Sequence, residues 1–270
     1  MKIWKNTSTL DGYDAGLNFT ENKKDAEIAL LGSKSINLNE FPNLRAIFRA
    51  GIGRDNVPEK EAKEKGVVVK FPSKETIDII FDETASFTCS LIFKMLYNNV
   101  GKLNPWVKEP RRQLSQKKLL IIGAGKIGSR VEELMKPFMQ VITFDILQNK
   151  LSELKDLIKQ ADCISLHIPI SDDNISFIDR EKLSWIKNGA ALINTSRGAI
   201  VDEDDLYKEL EKRRLKAAFD VYWEEPYRGK LNNFYPERFF MTPHVASTCK
   251  GFLEGCRISL DDLIADLEQR

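Results

Sequence analysis

Residues 118–145 carry the feature that most narrows what this chain can become. The apolar run Leu119-Leu120-Ile121-Ile122 leads into Gly123-Ala124-Gly125-Lys126-Ile127-Gly128, and after a helix-length stretch the chain reaches Val141-Ile142-Thr143-Phe144-Asp145. This is strand, Gly-x-Gly-x-x-Gly turn, helix, strand and terminal acid, the βαβ order that holds a dinucleotide. Gly123 allows the tight turn, Gly125 lets the backbone approach a pyrophosphate, and Gly128 lets the helix lie close to the strand. Free N–H groups at the helix start then face the phosphates without help from a basic side chain. Asp145 falls about 20 residues further on, where a carboxylate accepts from both ribose hydroxyls. Ile146, Leu147 and Gln148 follow it, with no Arg or Lys to receive a 2′-phosphate, so the cofactor expected is NAD rather than NADP.

The turn starts well inside the chain, so residues 1–122 must supply a domain of their own. A length of 270 residues fits two domains with a substantial core. Basic residues number 41 and acidic residues 40, with no basic run interleaved with aromatics, so neither nucleic acid nor a membrane is an expected partner. Apolar runs are far short of a membrane span and Met1–Asn6 has no signal-peptide core, which points to a cytoplasmic protein. Cys89, Cys163, Cys249 and Cys256 form no C-x-x-C pair and read as reduced packing thiols, with no metal site.

Strands are expected near 27–32, 44–49 and 67–71, with a polar helix at 58–65 ending at Gly66. A longer helix is expected at 82–97, followed by an irregular segment over 98–116 that contains Pro105 and Pro110. From there strands recur at 118–122, 140–144, 162–167, 190–194, 216–220 and 239–242, separated by helix-competent segments. An amphipathic helix at 250–268 closes the chain. Short apolar strands between helices predict an α/β fold with parallel sheets covered by helices on both faces.

Later segments say more. Asn194-Thr195-Ser196-Arg197-Gly198-Ala199-Ile200-Val201-Asp202-Glu203 follows a strand, Ala217-Ala218-Phe219-Asp220-Val221 runs into Glu224-Glu225-Pro226, and Thr242-Pro243-His244-Val245-Ala246-Ser247 comes last. With Arg49-Ala50-Gly51-Ile52-Gly53-Arg54-Asp55-Asn56 ahead of them and Ala161-Asp162-Cys163-Ile164-Ser165-Leu166-His167-Ile168-Pro169 between, the chain resembles the D-isomer-specific 2-hydroxyacid dehydrogenases over about residues 26–250. The resemblance implies two Rossmann-like or flavodoxin-like domains with a cleft between them: a shortened substrate domain from 1–80 plus 251–270, and an NAD-binding domain at 81–250. It also implies an NAD-dependent oxidoreductase acting on a small 2-hydroxy or 2-oxo acid.

The residues themselves suit that chemistry. Hydride transfer at a 2-hydroxy acid needs a grip on the carboxylate, a group that takes up the hydroxyl proton, and an orienting acid. Arg197, just past a strand end, offers a planar fork that binds a carboxylate and polarises the 2-oxygen together. His244, one of only two histidines, can carry the proton, and Glu225 can bond its other ring nitrogen. By similarity, Arg197, Glu225 and His244 are the catalytic set, with Glu225 preferred to Glu224 because the family's acid precedes the proline.

The cofactor residues expected are Gly123, Gly125, Lys126, Ile127, Gly128 and Asp145. The resemblance adds the backbone of His167, Ile168 and Pro169 beside the nicotinamide ribose, Asp220 at the carboxamide, and Thr195, Ser196 and Ala246 along the nicotinamide pocket. Asp202 reads as a helix cap. Substrate choice is expected from the first domain, where the Gly51-Ile52-Gly53 backbone meets the carboxylate and Lys34, Arg49, Ile52 and Gly53 are candidate substrate residues alongside Arg197. The positive charge of Lys34, Arg49, Arg54 and Lys74 makes 3-phosphoglycerate the leading specific substrate, with glyoxylate and hydroxypyruvate also open.

Some positions depart from the family pattern. The region before Gly123 is short, Phe71 stands where a small polar residue is common, and Lys70 replaces a common Asn. Family members commonly dimerise around the 82–97 helix, so a homodimer through the cofactor domain is expected. The alternative function is a non-catalytic NAD-sensing scaffold of the corepressor kind, which the same fold also supports.

Overall fold

A computed structural model of the chain describes residues 1–98 and 100–269. It divides into two compact units, Met1–Ile80 with Ser247–Arg270, and Phe81–Ala246.

The first unit is built on a five-stranded parallel sheet of β1 (Lys2–Lys5), β2 (Asn18–Phe19), β3 (Ile28–Leu31), β4 (Ala46–Arg49) and β5 (Val68–Lys70), in the order β2-β1-β3-β4-β5. The central strands β3 and β4 are buried throughout because both faces are covered. Ile28, Leu30, Ala46 and Phe48 pack with Phe252, Cys256, Leu260 and Leu263 of the final helix, Lys250–Glu268. On the other face Ala29, Leu31 and Ile47 meet Leu38, Val57, Val67 and Ala62, the last of these on helix α1 (Glu59–Glu64). Strands β1 and β2 lie outside the sequence expectation, as does the start of helix α2 (Lys74–Leu96), which begins eight residues before 82.

In the second unit the segment after α2 forms a small antiparallel pair, β6 (Gly101–Lys102) with β7 (Val107–Lys108), where the sequence reads as irregular. A six-stranded parallel sheet follows, made of β8 (Lys118–Ile122), β9 (Gln140–Phe144), β10 (Cys163–Leu166), β11 (Ala191–Asn194), β12 (Lys216–Phe219) and β13 (Phe239–Met241). Helices α3 (Lys126–Met135), α4 (Leu154–Gln160), α5 (Arg180–Trp185) and α6 (Glu203–Glu211) connect these strands. Leu119, Ile121, Cys163, Ile193 and Ala218 face Leu91, Ile92 and Met95 of α2 and Val131 and Met135 of α3. Leu120, Ile122, Ile164, Leu192 and Phe219 face Leu154, Ile158, Leu183, Leu206 and Leu210.

The strand order β13-β12-β11-β10-β8-β9 places the functional loops. After β8 the chain steps outward to β9, then returns to β10 on the other side of β8. In an open α/β sheet such a reversal opens a ligand crevice at the carboxyl ends of the strands. Burial pushes the Cys163 thiol, on β10 of this sheet, up to about 12, so it behaves as a small apolar residue. Among the described residues, no helix is long and apolar enough to cross a membrane and no group of His, Cys, Asp and Glu could hold a metal ion.

Candidate active site at the carboxyl edge of the second sheet

Register brings the motif residues together. Ile122, Phe144, Leu166, Asn194, Phe219 and Met241 pair in one row across the sheet. The residues one step further on, Gly123, Asp145, His167, Thr195, Asp220 and Thr242, therefore all leave the sheet at the same edge. Every motif singled out in residues 118–246 sits at or just beyond this row.

The glycine turn fits a dinucleotide. Gly123 has φ +99°, and a side chain there would sit 2.6 Å from the His167 carbonyl oxygen, so the loops after β8 and β10 touch. At Gly128 an added Cβ would lie 2.0 Å from the Gly123 oxygen, which is how closely α3 is drawn onto β8. At Gly125, by contrast, an added Cβ would meet nothing within 4 Å. That open position sits at the N-cap of α3, where no side chain caps the helix. Free amides with space in front of them are what a pyrophosphate requires.

Lys126 and Ile127 begin α3 behind that opening. Asp145 is half-buried and folded against the turn: one carboxylate oxygen accepts from the Ala124 amide at 2.9 Å and the other from the Leu147 amide at 2.9 Å. A carboxylate offers about four acceptor positions, so two are left for ribose hydroxyls. Ile146 and Leu147 beside it are exposed and apolar, as a 2′-hydroxyl partner allows. Across the turn, His167 donates its backbone N–H to Ile122 and its Nε2 lies 2.8 Å from the Ser165 hydroxyl. Burial pushes its imidazole down to about 4. Ile168 and Pro169 continue along this rim.

Past β11, Asn194 shapes the arginine turn. Its carboxamide oxygen accepts from the Ser196 amide and hydroxyl at 3.0 and 2.9 Å, and its NH2 donates to the Arg197 carbonyl at 2.9 Å. Thr195 is buried with its hydroxyl 2.8 Å from that of Thr88 on α2. A half-buried Arg197 donates to the Ser196 carbonyl at 2.7 Å. The next residue, Gly198, packs directly on the loop after β12: a side chain there would sit 2.1 Å from the Tyr222 carbonyl carbon. Asp202 caps α6 by accepting from the Asp205 amide at 2.9 Å.

Glu225, on that neighbouring loop, meets His244 from the loop after β13. Nδ1 of His244 lies 3.0 and 2.9 Å from the two carboxylate oxygens of Glu225. An ionised carboxylate can only accept, so the facing Nδ1 carries the proton and Nε2 points away as the free ring nitrogen. The His244 backbone is in the left-handed region at φ +54°, which a residue with a β-carbon holds only when its surroundings impose it.

Asp220 supplies part of that imposition. It is wholly buried and accepts from the Thr242 hydroxyl at 2.6 Å and from the Val245 and Ala246 amides at 2.9 and 2.8 Å. Three of about four acceptor positions are thus occupied within the protein, and one is left for a carboxamide. Burial holds its carboxyl above the usual carboxylate range. Asn194, Thr242 and Tyr222 were assigned no role from the sequence. A polar residue ending an otherwise apolar buried strand, as Asn194 does, was the available signal.

The sequence profile of the D-isomer specific 2-hydroxyacid dehydrogenase NAD-binding domain matches residues 95–246, more than half of the chain. The chain belongs to the D-isomer specific 2-hydroxyacid dehydrogenases. In this family of NAD-dependent oxidoreductases it is 31% identical over 221 residues to the hydroxypyruvate reductase of Thermotoga maritima, covering 76% of this chain and 72% of that one. It is also 31% identical over 230 residues to the D-3-phosphoglycerate dehydrogenase of Methanocaldococcus jannaschii, covering 76% of this chain but only 43% of that longer protein. The D-lactate dehydrogenase of Aquifex aeolicus, solved with NAD and lactic acid, has the same fold at a TM-score of 0.81 and 23% identity, over 100% of this chain and 96% of that one.

The first unit carries the remaining predicted residues of this dehydrogenase. Arg49 is buried and turned inward, donating to the Ala50 carbonyl at 2.5 Å and to Asn56 at 3.3 Å. Asn56 in turn donates to the carbonyls of Gly32 and Lys34 at 2.8 and 3.0 Å, so the two residues tie the 32–34 and 50–53 loops together. Ile52 and Gly53 are half-buried on that loop, and the Lys34 side chain is exposed. Arg54 bonds both oxygens of Glu59 at 2.8 and 2.9 Å and stacks 4.2 Å above the Phe71 ring. Of the four basic residues near Gly51–Gly53, Arg54 is thus balanced by Glu59 and Arg49 is turned inward, while Lys34 and Lys74 are exposed.

Proposed function

We propose that this dehydrogenase interconverts a small D-2-hydroxy acid and its 2-oxo acid, with Arg197, Glu225 and His244 as the catalytic residues. The 2.9–3.0 Å pairing of His244 with Glu225 is the observation that carries the reading. In the reduction direction the Arg197 guanidinium grips the substrate carboxylate and draws electron density from the 2-oxo oxygen. Imidazolium at His244 donates a proton from Nε2 to that oxygen, while Glu225 stabilises the charged ring before transfer and fixes its tautomer afterwards. The bound nicotinamide would supply the hydride, held by Gly123, Gly125, Lys126, Ile127, Gly128 and Asp145 along the pyrophosphate and ribose, and by His167, Ile168, Pro169, Thr195, Ser196, Asp220 and Ala246 around the ring.

In this reading residues 81–246 bind the cofactor and the first unit selects the substrate. Hydroxypyruvate or glyoxylate suits the internal engagement of Arg49 and Arg54; Lys34, Arg49, Ile52 and Gly53 then act mainly through the shape and backbone of their loops. The exposed Lys34 and Lys74 favour 3-phosphoglycerate as the second reading.

A homodimer through the second unit is part of the proposal. Ala85, Cys89, Leu91, Ile92, Met95 and Leu96 of α2 are consumed in the core, but Leu103, Trp106 and Val107 on and beside the β6–β7 pair, Leu134 on α3 and Phe138 just after it stay exposed. Apolar surface of that kind suits a second copy.

The test is turnover. Purified protein with NADH should consume it with hydroxypyruvate or glyoxylate, more slowly with pyruvate and 3-phosphohydroxypyruvate, and Arg197→Ala should abolish the reaction while leaving NADH binding intact. No consumption with any of these acids, beside normal NADH binding, would overturn the proposal in favour of a sensing scaffold.

A further inference from the structure

We propose that Tyr222 is a positioning residue that locks the Glu225–His244 pair by closing a ring of hydrogen bonds around it. The ring uses both ends of the residue. Its backbone N–H donates to Glu225 Oε1 at 3.3 Å, and that carboxylate faces His244 Nδ1. The His244 backbone N–H donates to the Thr242 carbonyl at 3.0 Å, and the same carbonyl accepts from the Tyr222 hydroxyl at 2.8 Å. Acid, base, and the backbone of the base therefore return to the two ends of one residue.

The need for such a lock follows from the His244 backbone, whose left-handed conformation is costly for a side chain of this shape. Asp220 fixes the turn on the far side of His244, at Val245 and Ala246. Tyr222 fixes it on the near side, at Thr242, and shares its proton with the Phe219 carbonyl 2.9 Å away. The residue is itself immobilised. Its ring stacks on Tyr227 with centroids 5.0 Å apart and planes at 21°, and Gly198 packs against its carbonyl. Burial pushes the phenol well above its ordinary range, so the hydroxyl stays a donor at working pH.

The kinetic arm of the test rests on the hydride-transfer reading; the spectroscopic arm does not. Tyr222→Phe keeps the ring, its stacking and its amide, and removes only the hydroxyl. Tyr227→Phe is the control, because it removes a half-buried hydroxyl from the same loop, one that bonds Glu203 at 2.6 Å, without touching the ring of bonds. The chain holds two histidines, so the imidazole N–H signals are assigned by comparison with His244→Asn.

The His244 Nδ1–H resonance is expected far downfield and protected in the unaltered protein and in Tyr227→Phe. In Tyr222→Phe it should move upfield and exchange at least about 10-fold faster, with kcat falling about 10-fold and KM for NADH unchanged. An unchanged resonance in Tyr222→Phe, or equal changes in both variants, would overturn the assignment. Absence of turnover in the unaltered protein would count against the hydride reading alone, leaving the resonance to decide the role of Tyr222.

Discussion

The carboxylate of Asp220 and the backbone amide of Ala246 lie 2.8 Å apart, both residues buried, and through that contact the end of β12 holds the turn that carries His244. With the Val245 amide and the Thr242 hydroxyl, Asp220 binds three donors from one five-residue stretch. Replacing it by Asn leaves one acceptor oxygen and brings an NH2 group against a backbone N–H. We expect Asp220→Asn to lower stability by about 1–3 kcal/mol in urea unfolding, the cost of a buried donor left unmatched. kcat should fall with it, because His244 loses its backbone restraint. A variant as stable and as active as the parent would show that the turn holds itself.

The glycines separate folding from binding. Gly128→Ala drives a β-carbon to within 2.0 Å of the Gly123 oxygen, so α3 must lift from β8, whereas Gly125→Ala meets nothing within 4 Å. Thermal melts should therefore show Gly128→Ala destabilised by about 2 kcal/mol or more, and Gly125→Ala close to the parent. NADH titration should find both weakened, Gly125→Ala by roughly 10-fold or more through obstruction of the phosphates alone. Tight NADH binding by Gly125→Ala would move the cofactor away from this turn.

How much of this was legible in the sequence depends on where each interaction partner sits. Strands β8 to β13 were readable because a parallel sheet covered on both faces demands continuous apolar runs such as Leu119–Ile122 and Cys163–Leu166. Strand β1, Lys-Ile-Trp-Lys, was not, since its lysines interrupt the apolar run, and the two-residue β2 carries no pattern at all. The first turns of α2 were missed because Lys74, Glu75 and Asp78 hide the apolar spacing of Ile77 and Ile80. The glycine turn and the Arg197, Glu225 and His244 segments were legible from residue type and order. Asp220 is named by the family resemblance, but as a carboxamide partner; its bracing role and that of Tyr222 were not legible, because both act largely on main-chain atoms of residues 242–246, and backbone groups carry no sequence signature.

Asp145 should set cofactor preference. Its carboxylate is anchored to the Ala124 and Leu147 amides and is flanked by exposed apolar residues, so its remaining acceptor positions suit a diol and repel a 2′-phosphate. Asp145→Ala is expected to weaken NADH at least about 10-fold while leaving NADPH unchanged or slightly tighter. Fluorescence titration of both nucleotides measures the ratio; equal losses would mean that Asp145 serves only to brace the glycine turn.

His167 gives the fold a pH dependence of its own. Burial holds its imidazole near 4 in the folded chain, against 6.5 for the free side chain, and its Nε2 is engaged by Ser165. Between those values the unfolded chain binds a proton that the folded chain refuses, so stability rises with pH across this window. The contribution is complete above about pH 6.5 and is lost progressively as pH falls toward 4, amounting to about 3 kcal/mol in all. Urea unfolding at pH 7 and pH 5 should show the loss, and His167→Asn, which keeps a short polar group near Ser165 but cannot titrate, should flatten it. A parent protein equally stable at both pH values would mean that water reaches the ring freely and that the rim of the crevice beside Gly123 is open to solvent.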